Sequence, residues 1–224
     1  MSARVALVDY GMGNRRSVEK ALEHVGATVV VTSDSGAVSS SDGIVIPGVG
    51  AFPKAMAALH ELGLVDPLRT LAREGTPMLG ICLGMQLLFS SSEEIEFTEG
   101  LGLLPGTVTR LRTAERLPHI GWNEVRFDRP SRLTTGLPEE GCPFYHVHSL
   151  APRPQDSSDV VATTEYGERF ATIVERANVA GVQFHPEKSS GDGLRLLANF
   201  VDLCAAGAAV EGDVGLAAPA SGRQ

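Results

Sequence analysis

Met78-Leu79-Gly80-Ile81-Cys82-Leu83-Gly84-Met85-Gln86-Leu87-Leu88-Phe89 is the stretch on which the fold turns. An apolar start gives way to a glycine-flanked cysteine and then to a helix-like apolar pattern. Cys82 therefore falls where a buried strand bends sharply into a helix. In the serine version of such an elbow, small neighbours let the backbone take a strained turn that lifts the nucleophile clear of the sheet. Gly80 and Gly84 offer the same relief here. A thiol at a helix N-terminus also meets free N–H groups and the positive end of the helix dipole, which favour the attacking thiolate. Such a residue calls for a base, an orienting acid, oxyanion donors and a substrate.

Upstream, strands and helices alternate. Val5 to Val8 is a continuous apolar run of strand length, as expected of a strand covered on both faces. Helical spacing of Val18, Ala21, Leu22 and Val25 follows from Ser17, and Gly26 ends it. Thr28 to Val31 and Ile44 to Ile46 read as further strands, joined by a Ser-rich connection. Helices are expected over Lys54 to Leu62 and Val65 to Arg73. This alternation predicts an α/β fold with a mostly parallel central sheet flanked by helices. Two strands end in glycine-rich loops, Asp9-Tyr10-Gly11-Met12-Gly13-Asn14 and Pro47-Gly48-Val49-Gly50-Ala51-Phe52, at the sheet end where open α/β folds place ligands. The first loop lacks the third glycine of a dinucleotide fingerprint, since Arg16 stands there. In the second, two glycines around one valine allow peptide N–H groups to turn toward a ligand.

Beyond Phe89 the texture changes. Ser90 to Glu99 is polar and acidic and reads as a solvated turn region. An additional strand-rich region follows, with strands expected at Thr107 to Leu111, Trp122 to Phe127, Phe144 to His148, Val160 to Glu165, Thr172 to Glu175 and Val179 to Phe184. A last amphipathic helix starts at Gly193. One domain is expected over residues 1–206, and an Ala/Gly-rich tail over 207–224 is expected to be disordered.

Of 224 residues, 43% are hydrophobic, enough for one large core. A net charge of −8 argues against a nucleic-acid-binding surface, which needs a Lys/Arg surplus. The three cysteines, Cys82, Cys142 and Cys204, form no CxxC pair and no even-numbered framework, which points to a reducing compartment. With no signal-peptide pattern and no membrane-spanning apolar run, the expectation is a cytoplasmic protein.

A thiolate nucleophile needs a base that can also protonate the leaving group, and histidine does both near neutral pH. His24 and His60 sit in helical patterns and read as surface residues; His119 has no evident place. His146 and His148 alternate on one strand, as two metal ligands would. No third ligand is evident, however, and neither a metal nor a cofactor is expected. His185 is the favoured base, because it ends a buried-looking strand and Glu187 follows two residues later across Pro186. Cys82, His185 and Glu187 then have the roles of a catalytic triad.

With these pieces assembled, the chain resembles the class I glutamine amidotransferases, whose fold is flavodoxin-like. Within them it resembles the glutaminase subunits of imidazole glycerol phosphate synthase. The elbow and His185-Pro186-Glu187 are shared across the superfamily. Pro47-Gly48-Val49-Gly50, Pro118-His119-Ile120-Gly121-Trp122-Asn123 and Lys188-Ser189 point to the histidine-pathway branch. The resemblance implies L-glutamine as substrate, attacked by Cys82, with Val49 and Leu83 N–H groups as the oxyanion hole. It places Gly50, Gln86, Ser149 and Leu150 on the substrate's amino-acid end. It also implies a (β/α)8-barrel cyclase subunit as partner in a heterodimer, with Asn14, Trp122, Asn123, Tyr145 and Lys188 toward it. A core position for Trp122 is the alternative. The Pro-Gly-Val-Gly loop is expected to act as a switch, leaving the oxyanion hole unformed until the partner docks.

Two positions depart from the family pattern: Arg15-Arg16 after Asn14, and His146 where an aromatic or apolar residue is usual. The competing readings are a glutaminase subunit of aminodeoxychorismate or anthranilate synthase, a non-catalytic docking module of the same fold, and a free-standing cysteine hydrolase. Gly121-Trp122-Asn123 argues against the first and third, and an intact triad against the second.

Overall fold

The computed structural model describes residues 2–212. The chain runs β1 (Arg4–Val8), α1 (Arg15–His24), β2 (Thr28–Thr32), α2 (Ser35–Ser39), β3 (Gly43–Ile46), α3 (Phe52–Glu61), α4 (Val65–Glu74), β4 (Met78–Ile81) and α5 (Leu83–Leu87). Then come β5 (Phe89–Ser92), β6 (Thr98–Glu99), β7 (Leu104–Arg110), β8 (His119–Phe127), β9 (Cys142–His148), β10 (Leu150–Pro154), β11 (Val160–Glu165), β12 (Arg169–Arg176), β13 (Val179–Val182) and α6 (Ser190–Gly212).

The main sheet has nine strands in the order β2-β1-β3-β4-β13-β12-β11-β8-β9. From β2 to β13 neighbours are parallel, and from β13 to β9 they are antiparallel. Strands β3, β4 and β13 are buried throughout and β1 everywhere but Arg4, as their near-continuous apolar sequences require, whereas the edge strand β2 is only partly buried. On β1, Val5 and Leu7 join one core with α1 and α6, while Ala6 and Val8 join a second with α3 and α4. Strand β13 lies beside β4 in register, pairing Val182 with Ile81. That register brings the His185 segment next to Cys82, although 103 residues separate them in sequence. Among the described residues, no helix is long and apolar enough to cross a membrane.

Three features differ from the sequence reading. Residues 90–99 are not simply a solvated turn: β5 and β6 join β7 and β10 in a second, four-stranded sheet. Ser91 and Ser92 are buried there, and the Ser91 hydroxyl bonds Thr107 Oγ1 at 3.1 Å. Polar side chains satisfied by hydrogen bonds leave no apolar alternation to detect. Strand β10 has no counterpart among the expected strands, since Pro152 and Pro154 interrupt a strand pattern; it is an edge strand paired only with β7, a place where proline is tolerated. Finally, α6 continues through residue 212, into the expected tail; residues 213–224 lie outside the described region.

Candidate active site

Cys82 sits at the junction of β4 and α5 with φ 54° and ψ −109°, a conformation an L-residue adopts only under constraint. The constraint is close packing. A Cβ on Gly84 would lie 1.8 Å from the Ile46 carbonyl oxygen, and one on Gly80 would lie 2.5 Å from that of Gly84. Only glycine at both positions lets the turn pack against β3. The Cys82 N–H continues the sheet by donating to Val182 O at 2.8 Å, and the side chain is left at the head of α5, largely buried.

His185 follows β13, and its N–H donates to Tyr145 O at 2.9 Å. The Ser189 hydroxyl braces the segment, donating to His185 O at 2.7 Å and accepting from Tyr145 N at 3.0 Å. The imidazole Nδ1 donates to Glu187 Oε1 at 2.9 Å, with both side chains buried. Burial alone would push this imidazole down. Hydrogen bonds to Cys82 and Glu187, and the negative charges of both, outweigh it and hold His185 up to about 10. At neutral pH the favoured form of His185 is therefore the imidazolium, held between Cys82 and Glu187. Glu187 Oε2 has no hydrogen-bond partner among the described residues, so the carboxylate is committed to His185.

Cys82, His185, Val49, Leu83, Gly50, Gln86, Ser149 and Leu150 all line one cavity of about 290 Å³, with Glu187 behind His185. A larger cleft of about 940 Å³, lined by residues such as Arg126, Asp128 and Arg169, holds no nucleophile. At the elbow, the Leu83 N–H donates to Gly48 O at 3.4 Å. The Gly48–Val49 peptide therefore presents its oxygen, not the Val49 N–H, to the place where an oxyanion would need donors. Tyr10 Oη donates to Pro47 O at 2.5 Å and packs where a Gly48 Cβ would go, so the loop is pinned just before that peptide. Burial, then the charge of Cys82, pushes the Tyr10 phenol well up.

The residues placed toward a partner divide in two. Asn14 and Lys188 are exposed, Tyr145 is half-buried, and Trp122 is 54% exposed beside Tyr145, which removes the core alternative for Trp122. Asn123 instead turns inward: its Nδ2 donates to Glu165 O at 2.9 Å and meets His119 Nε2 at 3.2 Å. Ile120, two residues before Trp122 on the same face of β8, is 60% exposed. Arg15 pairs with Asp9 within its own loop. His24 and His60 are exposed.

Three further residues gather here without a clear signal in the sequence. Glu94 brings a carboxylate to the cavity and accepts from the Phe52 N–H at 2.6 Å, although its polar, acidic segment reads as a solvated turn. Gln183 lies beside Cys82, and its signal was the two-residue spacing that puts it on the same side of the strand end as His185. His119 joins His146 and His148 in a buried cluster whose rings stack or meet edge-on. Burial pushes His119 down to about 4 and His148 to about 3 and holds His146 well below its usual value. Each ring nitrogen of the cluster has a hydrogen-bond partner or faces another histidine, and among the described residues no group of three or more His, Cys, Asp or Glu could hold a metal.

Residues 6–204 match the family model described as glutamine amidotransferase class-I. The chain is 53% identical over 199 residues to the imidazole glycerol phosphate synthase subunit HisH of Moorella thermoacetica, covering 89% of this chain and 94% of that one. It is 48% identical over 197 residues to the subunit of the same name from Bacillus cereus strain AH187, covering 88% and 93%. Among solved structures, PurLQS from Thermotoga maritima superposes with a TM-score of 0.72 at 21% identity over 90% of this chain and 99% of that one, a likeness of fold.

Proposed function

The chain belongs to the class I glutamine amidotransferases, and from that premise we propose that it is the glutaminase subunit of an imidazole glycerol phosphate synthase. The observation that carries the chemistry is the His185 ring held between Cys82 and Glu187 at the wall of a small cavity.

The Cys82 thiolate attacks the side-chain amide carbon of L-glutamine, and the carbonyl oxygen becomes an oxyanion. The His185 imidazolium gives its proton to the amide nitrogen, the C–N bond breaks, and ammonia leaves a glutamyl thioester. Neutral His185 then takes a proton from water as the water attacks the thioester, and glutamate departs from the restored thiolate. Glu187 orients the ring and stabilises its cation. Gly50, Gln86, Ser149 and Leu150 hold the amino-acid end, and the Glu94 carboxylate suits the substrate's ammonium.

Leu83 N–H is one oxyanion donor, and Val49 N–H becomes the second when the Gly48–Val49 peptide turns over. The trigger is docking of a (β/α)8-barrel cyclase subunit, which takes the ammonia to make imidazole glycerol phosphate and an aminoimidazole carboxamide ribotide. The exposed Ile120, Trp122 and Val49 supply an apolar surface for that partner, flanked by Asn14, Tyr145 and Lys188. The three free cysteines suit a cytoplasmic protein.

The test mixes the chain with the cyclase subunit and its nucleotide substrate and measures glutamate release, wild type beside Cys82→Ala. Release should depend on the partner and vanish in the variant. Activity that survives the substitution overturns the assignment of the nucleophile.

A further inference from the structure

Gln183 is completely buried, and its Nε2 lies 3.8 Å from the Cys82 sulfur. The same sulfur faces Val147 O, also at 3.8 Å. A thiol can donate to that carbonyl, whereas a thiolate is repelled by its lone pairs and needs a donor from elsewhere. We infer that Gln183 is a positioning residue whose side-chain N–H holds the Cys82 sulfur as a thiolate and aims it at the substrate carbon. The inference rests on reading Cys82 as the nucleophile.

An amide can face either way, so the claim depends on what locks it. Gln86 Nε2 lies 3.2 Å from Leu150 O, which can only accept, and 3.1 Å from the near end of the Gln183 amide. The Leu150 carbonyl therefore fixes Gln86 with its nitrogen inward. A flipped Gln183 would then set nitrogen against nitrogen, so its oxygen must face Gln86 and its nitrogen must face the sulfur. Leu150 O is itself held by His148 Nδ1–H at 2.8 Å. This leaves His148 Nε2 to accept from His119 Nδ1–H at 3.2 Å, and His119 Nε2 to accept from Asn123 Nδ2 at 3.2 Å. Every donor in this run meets an acceptor only if both imidazoles are neutral, and their burial keeps them so. The orientation of Gln183 is thus set by a polarised chain of buried groups that ends at Asn123, next to the exposed Trp122.

The test is the pH dependence of Cys82 alkylation by iodoacetamide, followed on the Cys82 peptide by mass spectrometry. The full-length chain is compared with Gln183→Met and Gln183→Glu. Methionine keeps the bulk and removes the donor. Glutamate keeps the bond from Gln86 but turns an acceptor toward the sulfur. The titratable and charged groups around the sulfur are His185, with Glu187 behind it, Tyr10, and Glu94, His148 and Lys188 on the walls of the same cavity, and both variants retain them. The midpoint should rise by about one pH unit in Gln183→Met, a roughly tenfold loss of thiolate below it, and further in Gln183→Glu, with the same limiting rate at high pH. Loss of packing alone would change stability and leave the midpoint where it was. Either folded variant titrating like wild type overturns the inference. That result alongside an inactive Cys82→Ala sinks the role of Gln183 alone, whereas an active Cys82→Ala sinks the underlying reading.

Discussion

Val49→Gly should make the isolated chain a faster glutaminase. In the structure the Leu83 N–H is occupied by Gly48 O at 3.4 Å, and Val49 does not have a positive φ. Presenting the Val49 N–H requires the Gly48–Val49 peptide to turn over, which changes ψ at Gly48 and φ at Val49 together. Gly48 accepts the change freely. Val49 is driven to positive φ, at a cost of about 1–2 kcal/mol for an L-residue. Breaking the long hydrogen bond adds about 0.5–1.5 kcal/mol, so the turned-over state holds roughly 0.3–8% of the unaided chain. Glycine at position 49 removes the first cost and raises that population about 5- to 30-fold. The assay is glutamate release at saturating glutamine without the cyclase subunit, where kcat should rise by that factor. In a complex where the partner already supplies the turn, as proposed, kcat should change little. If isolated Val49→Gly is no faster than wild type while its complex is fully active, the turning peptide is not what limits the free subunit.

Glu94→Gln should raise KM for glutamine at least tenfold with a smaller change in kcat, because it removes a charge-assisted bond to the substrate ammonium made before and during reaction; steady-state kinetics of the complex decide it. Acid should destabilise the fold well before its carboxylates titrate. His119, His146 and His148 have folded pKa values below the unfolded one, so their contribution is complete above about pH 6.5 and falls as pH drops. At pH 5.5 the three together should cost about 4 kcal/mol relative to pH 8, about a third of it from His146. His185, held up to about 10, gains stability over the same fall in pH and offsets part of that cost. Urea denaturation of wild type and His146→Phe at the two pH values checks this, and a pH dependence that the substitution leaves unchanged would refute it.

Much of the site was legible because its chemistry is local in sequence. Gly80, Cys82 and Gly84 carry the elbow, and His185 and Glu187, the proposed base and its orienting acid, share one strand end and meet as their spacing suggests. The parallel half of the sheet was legible from the uninterrupted apolar runs of β1, β2 and β3. What stayed hidden depends on groups far apart in sequence. Glu94 reaches the cavity because β5 joins a second sheet through buried serines, which have no periodic apolar signal. His119 and His148 meet only when β8 and β9 pair, and their neutrality follows from burial that no spacing reveals. Asn123 looked like a surface residue beside Trp122, yet on a strand neighbours face opposite ways, and it turned inward.

The prolines of β10 bear on how two copies of the chain can meet. Pro152 and Pro154 lie on an outer strand of the second sheet, whose other side pairs with β7. A proline inside that ladder would break it, so its missing N–H belongs on the outward side, and this edge offers few donors to a passing strand. Two copies of the chain meeting side by side would therefore find little on this strand to pair with.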